Sequence, residues 1–168
     1  MTFLVPLDGL PLAEAALARA AEAGDAFDED VLAVSVIPTG NAEYARERGW
    51  LEPNEEFDLD RVVSRLHTRL TDTCPSADFR HVVVDRYAPS GTIANRIRGI
   101  AHAEDAALVF VGSENAGLIV TSLSSVGSGV AADDAYDVVI VRHRGPGIVA
   151  RRDGGHRRPP KSDFYLPE

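Results

Sequence analysis

The chain has 168 residues, 45% hydrophobic and 26% charged, with a net charge of −9 from 17 basic and 26 acidic residues; this is the size and balance of one globular domain with a full core. No apolar run approaches the roughly 18 residues that a membrane span needs, and the chain opens on a strand-like FLVPLD without a basic and apolar leader, which predicts a cytoplasmic protein. Cys74 is the one cysteine, which excludes an intramolecular disulfide framework and a multi-cysteine zinc site.

Two periodicities alternate along the chain. Phe3–Asp8 is a short apolar run ending in an Asp-Gly turn and predicts a strand. Leu10, Ala13, Leu17, Ala20 and Ala21 then recur at helical spacing, with Pro11 allowed in the first turn, and predict a helix over Leu10–Glu22. Asp30–Pro38 is rich in β-branched residues and predicts the second strand. Thr39–Phe57 is polar and interrupted by Gly40, Gly49 and Pro53, so it reads as a long loop with a short helix around Ala42–Arg48. Leu59, Val62, Val63, Leu66 and Leu70 mark a helix that Pro75 ends, with Cys74 as a packed or half-exposed thiol near its end. Phe79–Asp85 predicts a third strand, and Ile93, Ile97, Ile100 and Ala101 give Ser90–Ala103 one apolar helical face. Ala107–Ser113 predicts a fourth strand, Gly112–Thr121 a glycine-bounded loop, Ser122–Asp133 a shorter helix and Asp137–His143 a fifth strand.

Strands alternating with helices imply βαβ units, and strands apolar along their length imply a parallel sheet covered on both faces. The expected fold is therefore α/β, a doubly wound five-stranded parallel sheet in a single domain over residues 1–143, followed by a tail over 144–168. The tail holds Arg144, Arg151, Arg152, Arg157, Arg158 and Lys161 against Asp153, Asp163 and Glu168, net +3, so the body carries 11 bases and 23 acids, net −12. Such a body is a poor partner for nucleic acid or an anionic membrane. Lys161 is the only lysine; acid excess with almost no lysine fits adaptation to high salt and equally an acidic protein from GC-rich coding.

In an open α/β sheet, ligands bind beyond the carboxyl ends of the strands, where the strand order reverses. Two such ends stand out, Asp8-Gly9 and Gly112-Ser113-Glu114-Asn115. The segments FLVPLDGLPLAEAALARAA, DRYAPSGTIANRIRGIAHAEDAALVFVGS and SSVGSGVAADDAYDVVIVRH resemble the opening, middle and closing parts of the universal stress protein (UspA) family, over residues 3–143. The resemblance implies the adenine nucleotide α-hydrolase-like fold with strand order 3-2-1-4-5, which sets Asp8 and Gly112 on one crevice. It also implies ATP or AMP, with Mg2+, as the ligand, with Asp8 near the adenine or ribose and Val36 near the adenine.

Nucleotide-binding members carry Gly-x-x-Gly, a spacer, then Gly-Ser or Gly-Thr. Here Gly112 and Ser113 match, Asn115 replaces the second glycine, Gly117 is offset by two, Ser124 replaces the third and Ser125 keeps the hydroxyl. Backbone N–H groups in such a loop can hold phosphates, and Asn115 tolerates a left-handed backbone better than most residues. Against this, Glu114 is negative and no Lys or Arg lies between Arg98 and Arg142. The same serines would serve a helix cap without ligand, Asp8 could merely shape its turn, and Val36 could merely fill the core. Two readings therefore stand: a stress-linked regulator that binds an adenine nucleotide, and a dimeric scaffold of the same fold without one.

The five histidines show no metal-ligand spacing, and neither a nucleophile elbow nor a phosphate-loop lysine motif is present. A receiver-like phosphorylation site would need a lysine on the fifth strand, which lacks one. The expectation is a protein that is not an enzyme and has no metal site of its own. Val138, Val139, Ile140 and Val141 form an apolar fifth strand expected at a sheet edge, which invites pairing with a second chain. The resemblance implies a homodimer through this strand; alternatively the tail covers it, anchored by Phe164, Tyr165 and Leu166.

Overall fold

The computed structural model describes residues 1–116 and 135–144. Its elements are β1 (Thr2–Pro6), α1 (Pro11–Phe27), β2 (Asp30–Pro38), α2 (Ala42–Glu47), α3 (Leu59–Thr73), β3 (Asp78–Val84), α4 (Ser90–Ala103), β4 (Ala106–Gly112), α5 (Ser113–Ala116) and β5 (Asp137–Val141). The strands form one five-stranded sheet in the order β3-β2-β1-β4-β5. All four neighbouring pairs are parallel; Val5 pairs with Ala33, Leu4 with Val109, Val34 with Arg80 and Val111 with Ile140.

Burial follows the position of each strand in that order. β2 is buried from Val31 to Pro38 and β1 from Phe3 to Pro6, because each has a strand on either side and helices above and below. The side-chain period of two sends Phe3 and Val5 to one face and Leu4 to the other. The first face packs on Ala13, Leu17 and Ala20 of α1 and Leu70 of α3, and the second on Ile93, Ile97 and Ala101 of α4. The edge strands β3 and β5 are more exposed. Cys74, at the end of α3, is buried in the first cluster, so of the two expected placements, packed and half-exposed, the packed one is found.

α1 runs to Phe27, beyond the expected end at Glu22. Gly24 does not break it, because this glycine lets the helix approach β2: a Cβ there would lie 2.8 Å from the Glu29 carbonyl oxygen. Asp28 ends the helix in a left-handed conformation, φ 58°. The fourth strand stops at Gly112, and a helical turn, α5, follows at once where a loop was expected. The expected helix over 122–133 and the tail from residue 145 lie outside the described residues.

In Thr39–Phe57 the short helix expected around Ala42–Arg48 is α2, Ala42–Glu47, and the departure is that the rest of the segment is drawn into the core. Asn41 caps α2, its side chain accepting from the Tyr44 N–H at 3.0 Å. Trp50 and Leu51 are then drawn into a third core cluster with Ile37, Ala45, Val62 and Leu66. The segment is clasped to α3 from outside. Glu55 accepts from Arg65 at 2.6 and 2.9 Å and from the Glu52 N–H at 2.8 Å. The Arg65 hydrogen bonds, then that N–H, hold the Glu55 carboxyl down to about 2. Among the described residues no helix is long and apolar enough to cross a membrane.

Candidate functional site

The strand order reverses between β1 and β4: from β1 the chain moves to β2 and β3 on one side, and from β4 to β5 on the other. Because the strands are parallel, their carboxyl ends share one edge of the sheet, and the residues after β1 meet those at the end of β4 there. Asp8 and Gly112 thus stand at the same edge of the sheet, where β1 and β4 end side by side, but the cleft that Asp8 lines does not include Gly112.

The turn after β1 is tied from three directions. The Asp8 carboxylate accepts from the Leu10 N–H at 3.0 Å, and its backbone carbonyl accepts from Trp50 Nε1 at 2.7 Å. Gly9 adopts φ +79°, and its carbonyl accepts from Arg69 at 2.8 Å; the same guanidinium donates to the Gly49 carbonyl at 2.8 Å. Below it, the buried Ser35 hydroxyl donates to the Leu7 carbonyl. Asp8 thus does shape its turn, but Trp50 and Arg69 also fasten that turn to the segment after β2.

A small cleft opens beside Asp8, with about 30 Å³ of free space, room for one or two water molecules. Its floor is Val34 and Val36 of β2, its far wall Ile93 and Ile97 of α4, and its roof Tyr44 and Arg48 of the α2 segment. Val36 is therefore both a core residue and a wall of this cleft. The Arg48 guanidinium carbon stands 3.4 Å from the centre of the Tyr44 ring. Burial, reinforced by Asp8 and opposed by Arg48, pushes the Tyr44 hydroxyl up to about 12, so it stays a neutral donor. The Tyr44 ring also meets Trp50 edge-on, centroids 5.4 Å apart.

Gly112 has a structural task at this place. A Cβ on it would lie 2.6 Å from the Leu12 carbonyl carbon and 2.8 Å from the Ala13 nitrogen, so it is the residue that lets β4 abut the first turn of α1. Ser113, half-buried, opens α5, and the Asn115 backbone lies within that helical turn. One carboxylate oxygen of Glu114 is buried without a hydrogen-bond partner among the described residues. Gly117, Ser124 and Ser125 lie outside the described residues. No cluster of three metal-binding side chains occurs among those described.

Sequence reasoning missed Tyr44, Arg48, Trp50 and Arg69. The loop after β4 indeed brings no base, but the crevice receives one from elsewhere, Arg48. A signal for two of them existed: Tyr44 and Arg48 stand four apart, on one face of the short helix that was expected there.

β5 is an edge strand with β4 as its described neighbour, and Val139 and Ile140 are each 36% exposed. Beside it a groove of about 440 Å³ runs between β5 and the second half of α1, walled by Ala23, Phe27, Phe110, Val139 and Val141. Val138 packs against the α4 face of the core.

Comparison with known proteins agrees with this architecture. No curated protein matches the chain. Among solved structures, a universal stress protein in complex with cAMP is similar at 22% identity, with a TM-score of 0.55 over 84% of this chain and 97% of that one. A universal stress protein from Archaeoglobus fulgidus is similar at 18% identity, with a TM-score of 0.53 over 84% and 93%. A family model described as the universal stress protein family matches residues 1–146. With its strand order, its doubly covered parallel sheet and that match, the chain belongs to the universal stress protein family.

Proposed function

We propose that this chain is a cytoplasmic, non-catalytic regulator that binds an adenine nucleotide, ATP or AMP, in the crevice beside Asp8. The observation that carries the reading is the pairing of the Asp8 carboxylate with a cleft floored by Val34 and Val36 at the point where strand order reverses. A flat heterocycle suits apolar walls, and a carboxylate at the rim accepts from an amino or hydroxyl group. That a structural neighbour is in complex with cAMP supports an adenine ligand. The Gly112-Ser113 turn would face the phosphates, and Mg2+ would arrive with them.

Titration calorimetry with ATP and Mg2+, ADP and AMP, in dilute and in molar salt, tests the reading; flat heats with all three would end it. Asp8→Asn keeps an oxygen to accept from the Leu10 N–H but puts an amide donor where the second carboxylate oxygen was. One hydrogen bond to a charged group is worth about 1.5–3 kcal/mol, so Asp8→Asn is expected to weaken binding roughly tenfold or more at an unchanged melting temperature.

The second reading, a scaffold that acts through a homodimer without nucleotide, is favoured by the Glu114 oxygen that has no partner among the described residues and by the apolar β5 edge. Pairing of β5 with a second copy would bury Val139, Ile140 and the groove beside them. Ile140→Asp is expected to turn a dimer into a monomer in sedimentation or light scattering; an unchanged mass would remove β5 from the interface.

A further inference from the structure

The arginines around the crevice are unequally engaged. Arg65 grips Glu55 with two hydrogen bonds, and Arg69 donates to two backbone carbonyls. Arg48 differs. Its side chain is only 20% exposed, its Nε is buried with no hydrogen-bond partner among the described residues, and its closest carboxylate, Glu47, stands at 3.8 Å and is itself largely exposed. What holds it is the face of Tyr44.

A partly desolvated guanidinium with unmade hydrogen bonds is unfavourable by itself, and an anion placed against it gains charge-assisted, bidentate contacts. The position gives this meaning. Arg48 roofs the cleft that Asp8 and Val36 line, and that cleft is far smaller than the roughly 300–1,000 Å³ of ordinary ligand pockets. Any planar base that enters must move the guanidinium off Tyr44, which frees the ring face for stacking and the cation for the ligand. The acidic body and Glu114 would otherwise repel an anionic ligand, and the loop after β4 offers no base to offset them.

We propose that Arg48 is the specificity-determining residue of the crevice: it closes the cleft over Tyr44, yields to an entering adenine, and pairs with the ligand's anionic group, so that the site selects adenine nucleotides over the uncharged nucleoside. This rests on the adenine-nucleotide reading above. It adds a positive charge from the α2 segment to the backbone donors of the Gly112-Ser113 turn.

The test compares AMP and adenosine binding to the full-length protein by calorimetry, with Trp50 fluorescence as a second readout. The wild type is expected to bind AMP at least tenfold more tightly than adenosine. Arg48→Ala should lose most of that preference by weakening AMP binding roughly tenfold, while adenosine binding stays equal or tightens because the roof has gone. Arg48→Lys should restore part of the preference, and Arg48→Met, which keeps the apolar stem over Tyr44, should behave as alanine does. An AMP-to-adenosine ratio unchanged in Arg48→Ala and Arg48→Met overturns the assignment and leaves nucleotide binding standing. Absence of AMP and ATP binding to the wild type overturns both.

Discussion

Trp50→Ala is expected to cost about 3–5 kcal/mol of folding stability, the range for removing a large aromatic from a packed core. Trp50 is 1% exposed, although it sits in a segment whose composition reads as loop. It packs with Ile37 of β2, Ala45 of α2, and Val62 and Leu66 of α3, so one side chain joins the sheet to two helices. Its removal also leaves the Asp8 carbonyl without the indole donor. At this chain length the loss amounts to a fall in melting temperature on the order of 10 °C, to be read by circular dichroism, since the substitution removes the only tryptophan. Trp50→Phe separates the two contributions. It keeps much of the apolar volume and loses the hydrogen bond, so it should cost less than alanine and still loosen the Asp8 turn. A loss below about 1 kcal/mol for Trp50→Ala, within the range of ordinary substitutions, would mean that the segment after β2 does not brace the crevice.

Gly112→Ala is the second large effect. The added methyl would meet the backbone of Leu12 and Ala13 at 2.6–2.8 Å, and backbone cannot swing aside as a side chain does. Either β4 or the whole of α1 must shift. α1 is held along its length by Ala13, Leu17 and Ala20 in the core. Overpacking of this kind costs about 1–3 kcal/mol, and the displacement would fall on the junction of β4 with α5. Gly99→Ala is the matched control. Gly99 lies in α4, and a Cβ there would meet nothing within 4 Å. Alanine at such a place should stabilise by up to about 1 kcal/mol through helix propensity. Chemical denaturation of both variants decides the matter; equal midpoints would show that the glycine at the end of β4 is not there for helix–strand approach.

The same glycine shows how a motif position can carry two meanings. In the sequence, Gly112 belongs to a degraded phosphate-loop pattern, with Asn115 and Ser124 where glycines would stand. In the fold it is the contact point of a strand with a helix start. These uses do not compete: the pairing of β1 with β4 sets the two strand ends side by side, and the glycine lets the first turn of α1 lie against them.

The architecture was legible in the residues. Continuous apolar strands can only be buried on both faces, and alternation with helical stripes forces parallel crossovers, so β1, β2 and β4 and their helices follow from pattern alone. The strand order came from the resemblance to the family and agrees with the sheet observed. Helix limits were less legible: α1 runs past Glu22 through Gly24 to Phe27, and the close approach of Gly24 to Glu29 and Val31 is a fact of packing that no local pattern contains.

The crevice divides in the same way. Asp8 and Gly112 could be named from the chain because they stand at or near strand ends, and strand ends in an open parallel sheet lie along one edge; Val36 came from the resemblance to the family. Tyr44, Arg48, Trp50 and Arg69 could not, because their roles depend on how a polar segment folds back over that edge. Local periodicity carries the regular elements, since each turn or pleat repeats the same geometry. It carries nothing about where an irregular segment lands, which contacts between distant residues settle. The sequence by itself therefore determined a doubly covered parallel sheet, its edge strand and the two strand ends, Asp8-Gly9 and Gly112-Ser113, that meet at one edge of it. Only the tertiary structure decided that Arg48 lines the cleft beside Asp8, set over Tyr44, which meets Trp50 edge-on.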